Sequence, residues 1–337
     1  QEIAQIAWQY PTQRNLALRL LEPLGAIEEA EPMDSLRAPA AATSRGGLRI
    51  DLDAVTVRAG GHTILEDASL GIEPGAHVAI VGPSGAGKST LVGLLLGWHR
   101  PSTGEVRIDG HPLDSAGIHA LRQETAWVDP GVQIWNRTLV ENLEFGSATR
   151  TSLAARIAQA DLRSVIEQLP EGLQTMLGEG GTLVSGGEGQ RVRFGRGLGR
   201  PDARLVVLDE PFRGLERSRR ASLLRRAREQ WARATLVCVT HDVGETASFD
   251  QVLVVSEGRV VEAGRPAELA ARADSRYRSI LDAETALRER LWADPSWRTV
   301  RLEDGRLEAA TTTRHEPSSP ASPIPHRETP RHPQVGE

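Results

Sequence analysis

The sequence predicts an α/β protein with a mainly parallel sheet, and three observations carry this prediction. Short apolar runs rich in β-branched residues recur along the chain, at 78–81, 205–208, 236–239 and 252–255. Stretches of helical composition lie between several of them, notably 153–168 and 216–233. A glycine-rich loop follows the first run and opens another helical stretch. Buried strands that alternate with helices are typical of a parallel sheet covered on both faces.

Composition narrows the classes of function. The net charge is −5 over 337 residues, of which 39% are hydrophobic, so we expect a sizeable core and no overall positive field that would attract nucleic acid. Cys238 is the only cysteine, which excludes a disulfide framework or a cysteine zinc site within one chain. It lies in an apolar run, and we expect it to be a buried small hydrophobe. The sequence contains no stretch of about 18 apolar residues, which is the length needed to cross a bilayer.

The alternating strands and helices occupy residues 48–281, which we expect to form one domain. The other predicted segments are an amphipathic helix (1–30), a linker (31–47), a C-terminal extension with a hairpin around Asp304-Gly305 (282–310) and a disordered tail (311–337). The tail is rich in Pro, Ser, Thr, His and Arg and has no apolar periodicity, so it cannot bury enough surface to offset the entropy of ordering it.

Residues 82–89 predict a phosphate-binding loop. The segment Gly-Pro-Ser-Gly-Ala-Gly-Lys-Ser matches the pattern GxxxxGK[ST] and lies between an apolar run and a helical stretch, which argues against an ordinary glycine-rich turn. Glycines let backbone N–H groups turn inward around an anion, and the helix directs its positive end there. Lys88, the only lysine in the chain, is expected to neutralise the β- and γ-phosphates, and the Ser89 hydroxyl to bind Mg²⁺. The residues expected to contact the nucleotide here are Gly82, Ser84, Gly85, Ala86, Gly87, Lys88, Ser89 and Thr90.

Two carboxylates end the apolar run 205–208. A strand would carry Asp209 to the sheet edge, where it could bind magnesium, and Glu210 could act as the general base toward an attacking water. An acidic strand-to-loop corner is the alternative, and the phosphate loop makes catalysis the better interpretation. His241 ends the next apolar run, and a parallel sheet would bring it to the same edge. We expect it to contact the γ-phosphate or to orient the water and Glu210, although a lone histidine at a strand end is often structural.

A further motif lies between the phosphate loop and the acidic strand end. Val184–Glu188 reads Val-Ser-Gly-Gly-Glu and is followed by Gly-Gln-Arg-Val-Arg. The four motifs in this order resemble the nucleotide-binding domain of ABC transporters over about residues 48–281. The resemblance implies a P-loop NTPase of the ABC cassette type, with a mainly parallel core sheet, an antiparallel β subdomain and a helical signature subdomain. It also implies ATP and Mg²⁺ as cofactors and ATP hydrolysis as the reaction, with Glu210, His241 and Lys88 as catalytic residues.

The resemblance implies a partner as well. Two ABC ATPase domains, identical or different, would form a head-to-tail dimer around two ATP molecules. The signature stretch, which comprises Ser185, Gly186 and Gly187, would contact the γ-phosphate bound to the phosphate loop of the other protomer. Closing of the dimer would need the γ-phosphate, and hydrolysis would let the protomers separate.

Two weaker features resemble ABC exporters in particular. Gly178–Gly181 is similar to the short segment by which exporter motor domains contact membrane helices. Residues 1–30 are similar to the end of a last transmembrane helix and its connector, with a mere N-terminal extension as the alternative. These features imply an exporter motor domain cut away from its membrane-spanning half, acting with that half at the cytoplasmic face of the cell membrane and without a nucleic-acid partner.

The loop that couples Mg²⁺ to the membrane domain departs from the family pattern. Pro130 stands where the family usually has glutamine. Asp129 precedes it and Gln133 follows three residues later, and either is a candidate substitute. Gln133 is therefore included among the candidate metal ligands with Ser89 and Asp209.

Two other positions also depart from the pattern of the ABC transporter family. Ala59 occupies the region where an aromatic residue usually stacks on adenine, which leaves His62 as the candidate stacking residue. Glu216 replaces the aspartate that usually ends the loop after the catalytic glutamate. These changes bear on adenine selectivity and coupling, and they leave the phosphate-binding and catalytic residues in place.

Two other function classes compete with an exporter motor. A soluble ABC-type ATPase acting on DNA or ribosomes would usually carry a coiled coil, a zinc site or a second cassette, and the sequence contains none of these signals. An unrelated P-loop kinase or GTPase is disfavoured by Val184–Glu188. A guanine-reading Asn-Lys-x-Asp motif is excluded because Lys88 is the only lysine.

Overall fold

The computed structural model describes residues 46–59, 61–131, 133–147, 152–292, 300–303 and 306–309. The helix predicted over 1–30, nearly all of the predicted linker and the predicted tail lie outside these residues. Contacts divide the described part of the chain into two compact units, with the boundary after residue 284.

The described strands are β1 (Ile50–Ala59), β2 (His62–Ile72), β3 (His77–Val81), β4 (Thr103–Ile108), β5 (His111–Pro112), β6 (Thr125–Val128), β7 (Leu205–Asp209), β8 (Thr235–Val239), β9 (Gln251–Ser256), β10 (Arg259–Gly264), β11 (Val300–Glu303) and β12 (Arg306–Ala309). The described α-helices are α1 (Lys88–Leu95), α2 (Ser115–Gln123), α3 (Leu139–Glu144), α4 (Leu153–Gln159), α5 (Arg163–Gln168), α6 (Gly186–Gly197), α7 (Arg217–Gln230), α8 (Pro266–Ala271) and α9 (Arg276–Trp292). Short 3-10 helices occur at Gly172–Gln174, Glu179–Gly181 and Val243–Ser248.

Two sheets build the first unit. The central sheet has the order β10-β9-β3-β8-β7-β6 and is parallel except for β10, which pairs antiparallel with β9. The other sheet, of order β2-β1-β4-β5, is antiparallel throughout. The predicted mainly parallel core sheet with an antiparallel companion is therefore confirmed.

Hydrophobic side chains cover both faces of the central sheet. Because successive residues of a strand point to opposite faces, Ala79 and Val81 of β3 join a cluster shared with α6 and α7. Val78 and Ile80 join a second cluster shared with α1 and the antiparallel sheet. Cys238 of β8 is fully buried in the first cluster, as predicted, and burial raises the pKa of its thiol.

Helices α3 to α6 lie in the sequence between β6 and β7 and form the predicted helical region. The stretch 153–168 is two helices, because Asp161, which lies between α4 and α5, has a left-handed backbone with φ 55°. Aspartate tolerates the left-handed conformation better than most residues do, and a residue in this conformation ends a helix. The stretch predicted over 216–233 is α7.

In the second unit, β11 and β12 pair antiparallel with Glu303 opposite Arg306, which is the hairpin predicted from the sequence. Within the described part of the chain, no helix combines the length and apolar character needed to cross a membrane.

Candidate functional site

The phosphate loop joins the carboxyl end of β3 to α1. Gly87 is the N-cap of α1 with φ 103°, and Gly82 has φ 147°. A Cβ at Gly82 would overlap the backbone carbonyl oxygen of Val255, so only glycine fits there. The loop therefore turns sharply at the sheet edge and presents the positive end of α1, the arrangement that binds an anion.

Neighbouring backbone supports the phosphate loop from behind. The N–H of Gly258, in the turn between β9 and β10, donates to the carbonyl of Ala86 at 3.0 Å, and its own carbonyl accepts the N–H of Glu66 from β2 at 2.7 Å. Both sheets thus hold the loop in its conformation.

Lys88 points back into the loop. Its Nζ donates to the carbonyls of Gly82 at 2.9 Å and Pro83 at 2.7 Å, and the residue is only 6% exposed. Burial lowers the pKa of the ammonium, while Glu210 and Asp209 oppose that shift. The sheet edge therefore holds a positive charge where the phosphates of a nucleotide would lie.

The acidic pair lies where β7 ends. Asp209 is its last residue, and the N–H of Glu210 donates to the carbonyl of Val239 at 2.9 Å. The backbone then turns through two residues of positive φ, Glu210 at 42° and Phe212 at 64°. Phe212 is fully buried and packs edge-to-face on Phe194 of α6 with ring centroids 5.1 Å apart. Strained backbone of this kind persists only where its surroundings hold it, and it is common at functional sites.

His241 contacts the acidic pair directly. Its Nε2 lies against Oε1 of Glu210, and Oε2 of the same carboxylate accepts Nη1 of Arg213 at 3.0 Å. The structure thus brings the three predicted catalytic residues, Lys88, Glu210 and His241, to one edge of the sheet. Arg213 was not predicted; its position three residues after Glu210 is the only signal in the sequence.

Negative charge is concentrated beside Lys88. Burial, together with the nearby carboxylates of Asp129 and Glu210, raises the pKa of Asp209 to about 6, and Lys88 and His241 oppose this shift. Burial also raises the pKa of Asp129, an effect opposed by the N–H of Gly131 and by Arg193. A divalent cation at this edge would relieve the repulsion among these carboxylates.

The donors at this edge fit a magnesium ion that arrives with a nucleotide. Among the residues that the structure describes, no group of three or more His, Cys, Asp or Glu could hold a metal alone. Mg²⁺ is usually bound by one or two carboxylates together with substrate phosphates and water. The exposed Ser89 in the first turn of α1 and the half-buried Asp209 supply such a partial set of ligands.

The loop that contains Asp129 and Gln133 is held by α6. The Gln133 side chain is exposed, and the backbone carbonyl of Gln133 accepts a hydrogen bond from Nη1 of Arg196 at 3.1 Å. Arg196 also binds the carbonyl of Asn142 at 2.9 Å and its Oδ1 at 3.0 Å, and lies 4.3 Å from the centroid of the Trp135 ring. Arg196 was not predicted as part of the site. The role of Gln133 as a metal ligand stays a prediction. Of the two candidate substitutes for the family glutamine, Asp129 is the residue whose charge raises the pKa of Asp209.

The signature stretch forms the start of α6. Oγ of Ser185 accepts the N–H of Glu188 at 3.4 Å, and the Glu188 carboxylate accepts the N–H of Ser185 at 2.8 Å, which is a capping box. A Cβ at Gly186 would meet open space, whereas one at Gly187 would lie 2.6 Å from Cδ2 of Leu215. The stretch therefore packs against the loop that follows Glu210 and presents an open helix N-terminus at Gly186.

Three remaining candidates lie around these motifs. Ala59 and His62 pair at the end of the β1–β2 hairpin, and both are exposed. Glu216 precedes α7, and its carbonyl accepts the N–H of Arg220 at 2.9 Å. Adenine stacking by His62 stays a prediction.

Comparison with known proteins agrees with this geometry. The sequence model of the ABC transporter family matches residues 65–213. The chain is 38% identical over 210 residues to an ATP-dependent lipid A-core flippase of Alkalilimnicola ehrlichii, with 61% of this chain and 35% of that protein covered. It is 35% identical over 221 residues to the mitochondrial iron-sulfur clusters transporter ATM1 of Saccharomyces cerevisiae, with 64% and 32% covered.

A third relative is the mycobactin import ATP-binding/permease protein IrtB of Mycolicibacterium smegmatis, 34% identical over 238 residues, with 70% of this chain and 40% of that protein covered. The solved structure of a bacterial Atm1-family ABC exporter with ATP bound superposes with a TM-score of 0.66 at 30% identity, covering 70% of this chain and 42% of that one. The chain spans less than half the length of each of these relatives. The chain therefore contains an ABC transporter ATPase domain, which makes up most of its described part.

Proposed function

We propose that this chain is the ATP-hydrolysing motor of an ABC exporter and that it drives transport by closing on a second ATPase domain around two Mg-ATP. The observation that carries the proposal is the convergence of Lys88, Asp209, Glu210 and His241 on one edge of the central sheet, beside the phosphate loop. These residues supply the charge neutralisation, the metal ligand and the general base that phosphoryl transfer to water requires.

Binding would begin with an exchange of partners at Lys88. Its Nζ donates to the carbonyls of Gly82 and Pro83, and phosphate oxygens would replace those carbonyls. The N–H groups of the loop and the N-terminus of α1 would hold the same phosphates. Ser89 and Asp209 would hold Mg²⁺, which when bound would supply Lewis-acid neutralisation of the phosphate charge.

Hydrolysis would then depend on Glu210. Its carboxylate would accept a proton from a water molecule as the water oxygen bonds to the γ-phosphorus. The bond from that phosphorus to the bridging oxygen would break, leaving ADP and phosphate. His241 already contacts Oε1 of Glu210 and would fix the direction of this carboxylate.

The transport role rests on the relatives. Their names describe a flippase, an iron-sulfur clusters transporter and a mycobactin importer, so the direction of transport belongs to the membrane-spanning half. An exporter is favoured because one solved structure that superposes on this chain is that of an Atm1-family ABC exporter. In this proposal the chain acts at the cytoplasmic face of the cell membrane, residues 1–30 connect to the membrane-spanning half, and Gly178–Gly181 contacts its helices.

A phosphate-release assay tests the proposal. The purified chain with Mg-ATP should release phosphate, and the rate should be indifferent to added DNA or ribosomes. Absence of both ATP binding and phosphate release at high protein concentration would refute the motor function. A several-fold stimulation by DNA or ribosomes would instead favour a soluble ABC-type ATPase.

A further inference from the structure

The segment that follows His241 is held on two sides. Residues 242–248, here named the switch segment, contain the 3-10 helix Val243–Ser248 and connect His241 to β9. The His241 ring is about half exposed, so packing alone does not fix its direction. Its position relative to Glu210 depends on how the switch segment is anchored.

Helix α7 anchors one side. Nη2 of Arg220 lies 2.7 Å from Oδ1 of Asp242, and its Nε lies 3.3 Å from Oε1 of Glu245. The Glu245 side chain is only 8% exposed, so this contact lies in a largely dry environment. α7 directly follows Glu216, so this anchor connects the switch segment to the loop after Glu210.

Helix α9 anchors the other side. Oε2 of Glu284 accepts the N–H of Gly244 at 2.9 Å, and the hydroxyls of Tyr277 and Thr246 lie 2.8 Å apart. Tyr277 and Thr246 are both almost fully buried. The start of α9 is itself fixed, because the Glu262 carboxylate accepts the N–H of Arg276 at 2.7 Å and that of Tyr277 at 3.0 Å.

The first turns of α9 and His241 line one cavity, whose volume is about 370 Å³. Its lining includes Pro83, Thr240 and His241 together with Arg276, Ser279 and Ile280 of α9. The hydrogen bonds of α9 to Gly244 and Thr246 give the helix a route to the imidazole through the switch segment.

We propose that Glu284 and Tyr277 of α9 are positioning residues for catalysis: by binding Gly244 and Thr246 they hold the switch segment where His241 meets Glu210. This inference rests on the proposed hydrolysis of ATP. It makes the position of α9 a determinant of turnover through its hydrogen bonds to residues 244 and 246. A small displacement of a positioned catalytic group is enough to lower a rate constant severalfold or more.

The test uses the full chain with Glu284→Ala, Glu284→Gln and Tyr277→Phe. Asp282→Ala is the matched control, because Asp282 is an exposed carboxylate of α9 whose ion pair, with Arg278 at 3.7 Å, stays within the helix. We expect Glu284→Ala to lower kcat by about fivefold with KM for ATP unchanged. Glu284→Gln should keep most of the activity, because its amide oxygen still accepts the Gly244 N–H. Tyr277→Phe should lower kcat in the same manner, and Asp282→Ala should not.

Hydrogen exchange supplies a readout that does not need turnover. Amides of residues 243–248 should exchange about threefold faster in Glu284→Ala than in the wild type or in Asp282→Ala, with the thermal midpoint retained. An inactive wild-type chain would refute the proposed function, and the exchange result would still decide whether α9 holds the segment. Wild-type kcat and exchange in both Glu284→Ala and Tyr277→Phe would overturn the inference, as would a parallel loss of nucleotide affinity and thermal stability. Should Glu284→Ala fail to fold, a low kcat in a folded Glu284→Gln would overturn it as well.

Discussion

Oε1 of Glu210 meets Nε2 of His241 across the carboxyl ends of β7 and β8, while Oε2 of the same carboxylate binds Arg213 at 3.0 Å. Both carboxylate oxygens are thus engaged by side chains of this chain. The carboxylate is held in one direction by a residue that follows the neighbouring strand β8 and by a residue of its own loop. This arrangement suits a general base that must be in place when the nucleotide arrives.

Glu210→Gln separates binding from chemistry. The amide keeps the shape of the side chain and loses the basic oxygen, so we expect turnover to fall by about 100-fold or more with nucleotide affinity unchanged. Single-turnover phosphate release and ATP titration measure the two quantities. Glu229→Gln, at an exposed carboxylate of α7 whose ion pair with Arg225 stays within the helix, is the control and should hydrolyse ATP at close to the wild-type rate. Normal phosphate release by Glu210→Gln would remove this residue as the base.

Lys88 offers a direct report on the phosphate loop, because it is the only lysine. An amine-reactive reagent followed by peptide mass spectrometry should label this largely buried amine slowly in the free chain, and markedly more slowly when Mg-ATP is bound. Lys88→Ala should weaken ATP binding about 10- to 100-fold, since a charge-assisted contact to phosphate is lost. Lys88→Arg should weaken ATP binding to a similar extent. Lys88 is only 6% exposed, and a planar guanidinium does not fit the space that its compact ammonium occupies. Unchanged labelling at saturating ATP would contradict the assigned role.

Asp209 makes stability depend on pH in a predictable direction. Its pKa is raised by burial to about 6 in the folded chain, above its ordinary value. The folded state therefore binds the proton more tightly than the unfolded state, so the free energy of unfolding falls as pH rises from about 4 to about 6. Above that range the ionised carboxylate destabilises the nucleotide-free fold.

Asp209→Asn removes that penalty. At pH 7.5 without nucleotide we expect the variant to be more stable than the wild type by about 1–2 kcal/mol, a figure reduced for partial exposure, and to lose this advantage near pH 4.5. Urea denaturation at both pH values measures the difference, and Asp282→Asn, on the exposed face of α9, should show none. A constant difference between Asp209→Asn and the wild type at the two pH values would exclude the assigned pKa. The variant should also lose magnesium-dependent ATP binding.

The positions of the predicted site residues follow from the strand pattern. Asp209 and His241 each come at or just after the end of an apolar run, and a parallel sheet brings such ends to one edge. Neither Arg213 nor Arg196 could be found in this way, because the chain is rich in arginine and the type of residue carries little information. Arg196 and Asn142 lie 54 residues apart, and Glu284 and Gly244 lie 40 apart. Such contacts depend on the packing of whole helices, which no local pattern encodes.

Arg196 should matter for stability through its shape as well as its charge. Its guanidinium binds Asn142 and the Gln133 carbonyl and stacks over Trp135, and lysine cannot reproduce this set of contacts. We expect Arg196→Lys to lower the free energy of unfolding by about 2 kcal/mol. Arg225→Lys, on the exposed face of α7, should change it by less than about 0.5 kcal/mol. Equal urea midpoints for the two variants would show that the Arg196 contacts add little.

Gly186 permits a direct test of the shared nucleotide site. A Cβ there meets open space, so Gly186→Asp should fold, and its carboxylate at the N-terminus of α6 favours the helix. The same charge would repel the γ-phosphate of a nucleotide bound to the opposite protomer. In a Glu210→Gln background, neither Gly186→Asp nor Lys88→Ala should dimerise with ATP.

A mixture of the two variants restores one complete site, because the Gly186→Asp protomer supplies the phosphate loop and the Lys88→Ala protomer supplies the signature stretch. Analytical ultracentrifugation should therefore detect an ATP-dependent heterodimer only in the mixture. A double variant that carries both changes, mixed with either single variant, is the control and should stay monomeric. The Glu210→Gln chain with an unmodified signature stretch sets the ATP concentration needed for dimerisation. If the Gly186→Asp variant alone also dimerises at that concentration, the signature stretch does not contact the opposite nucleotide.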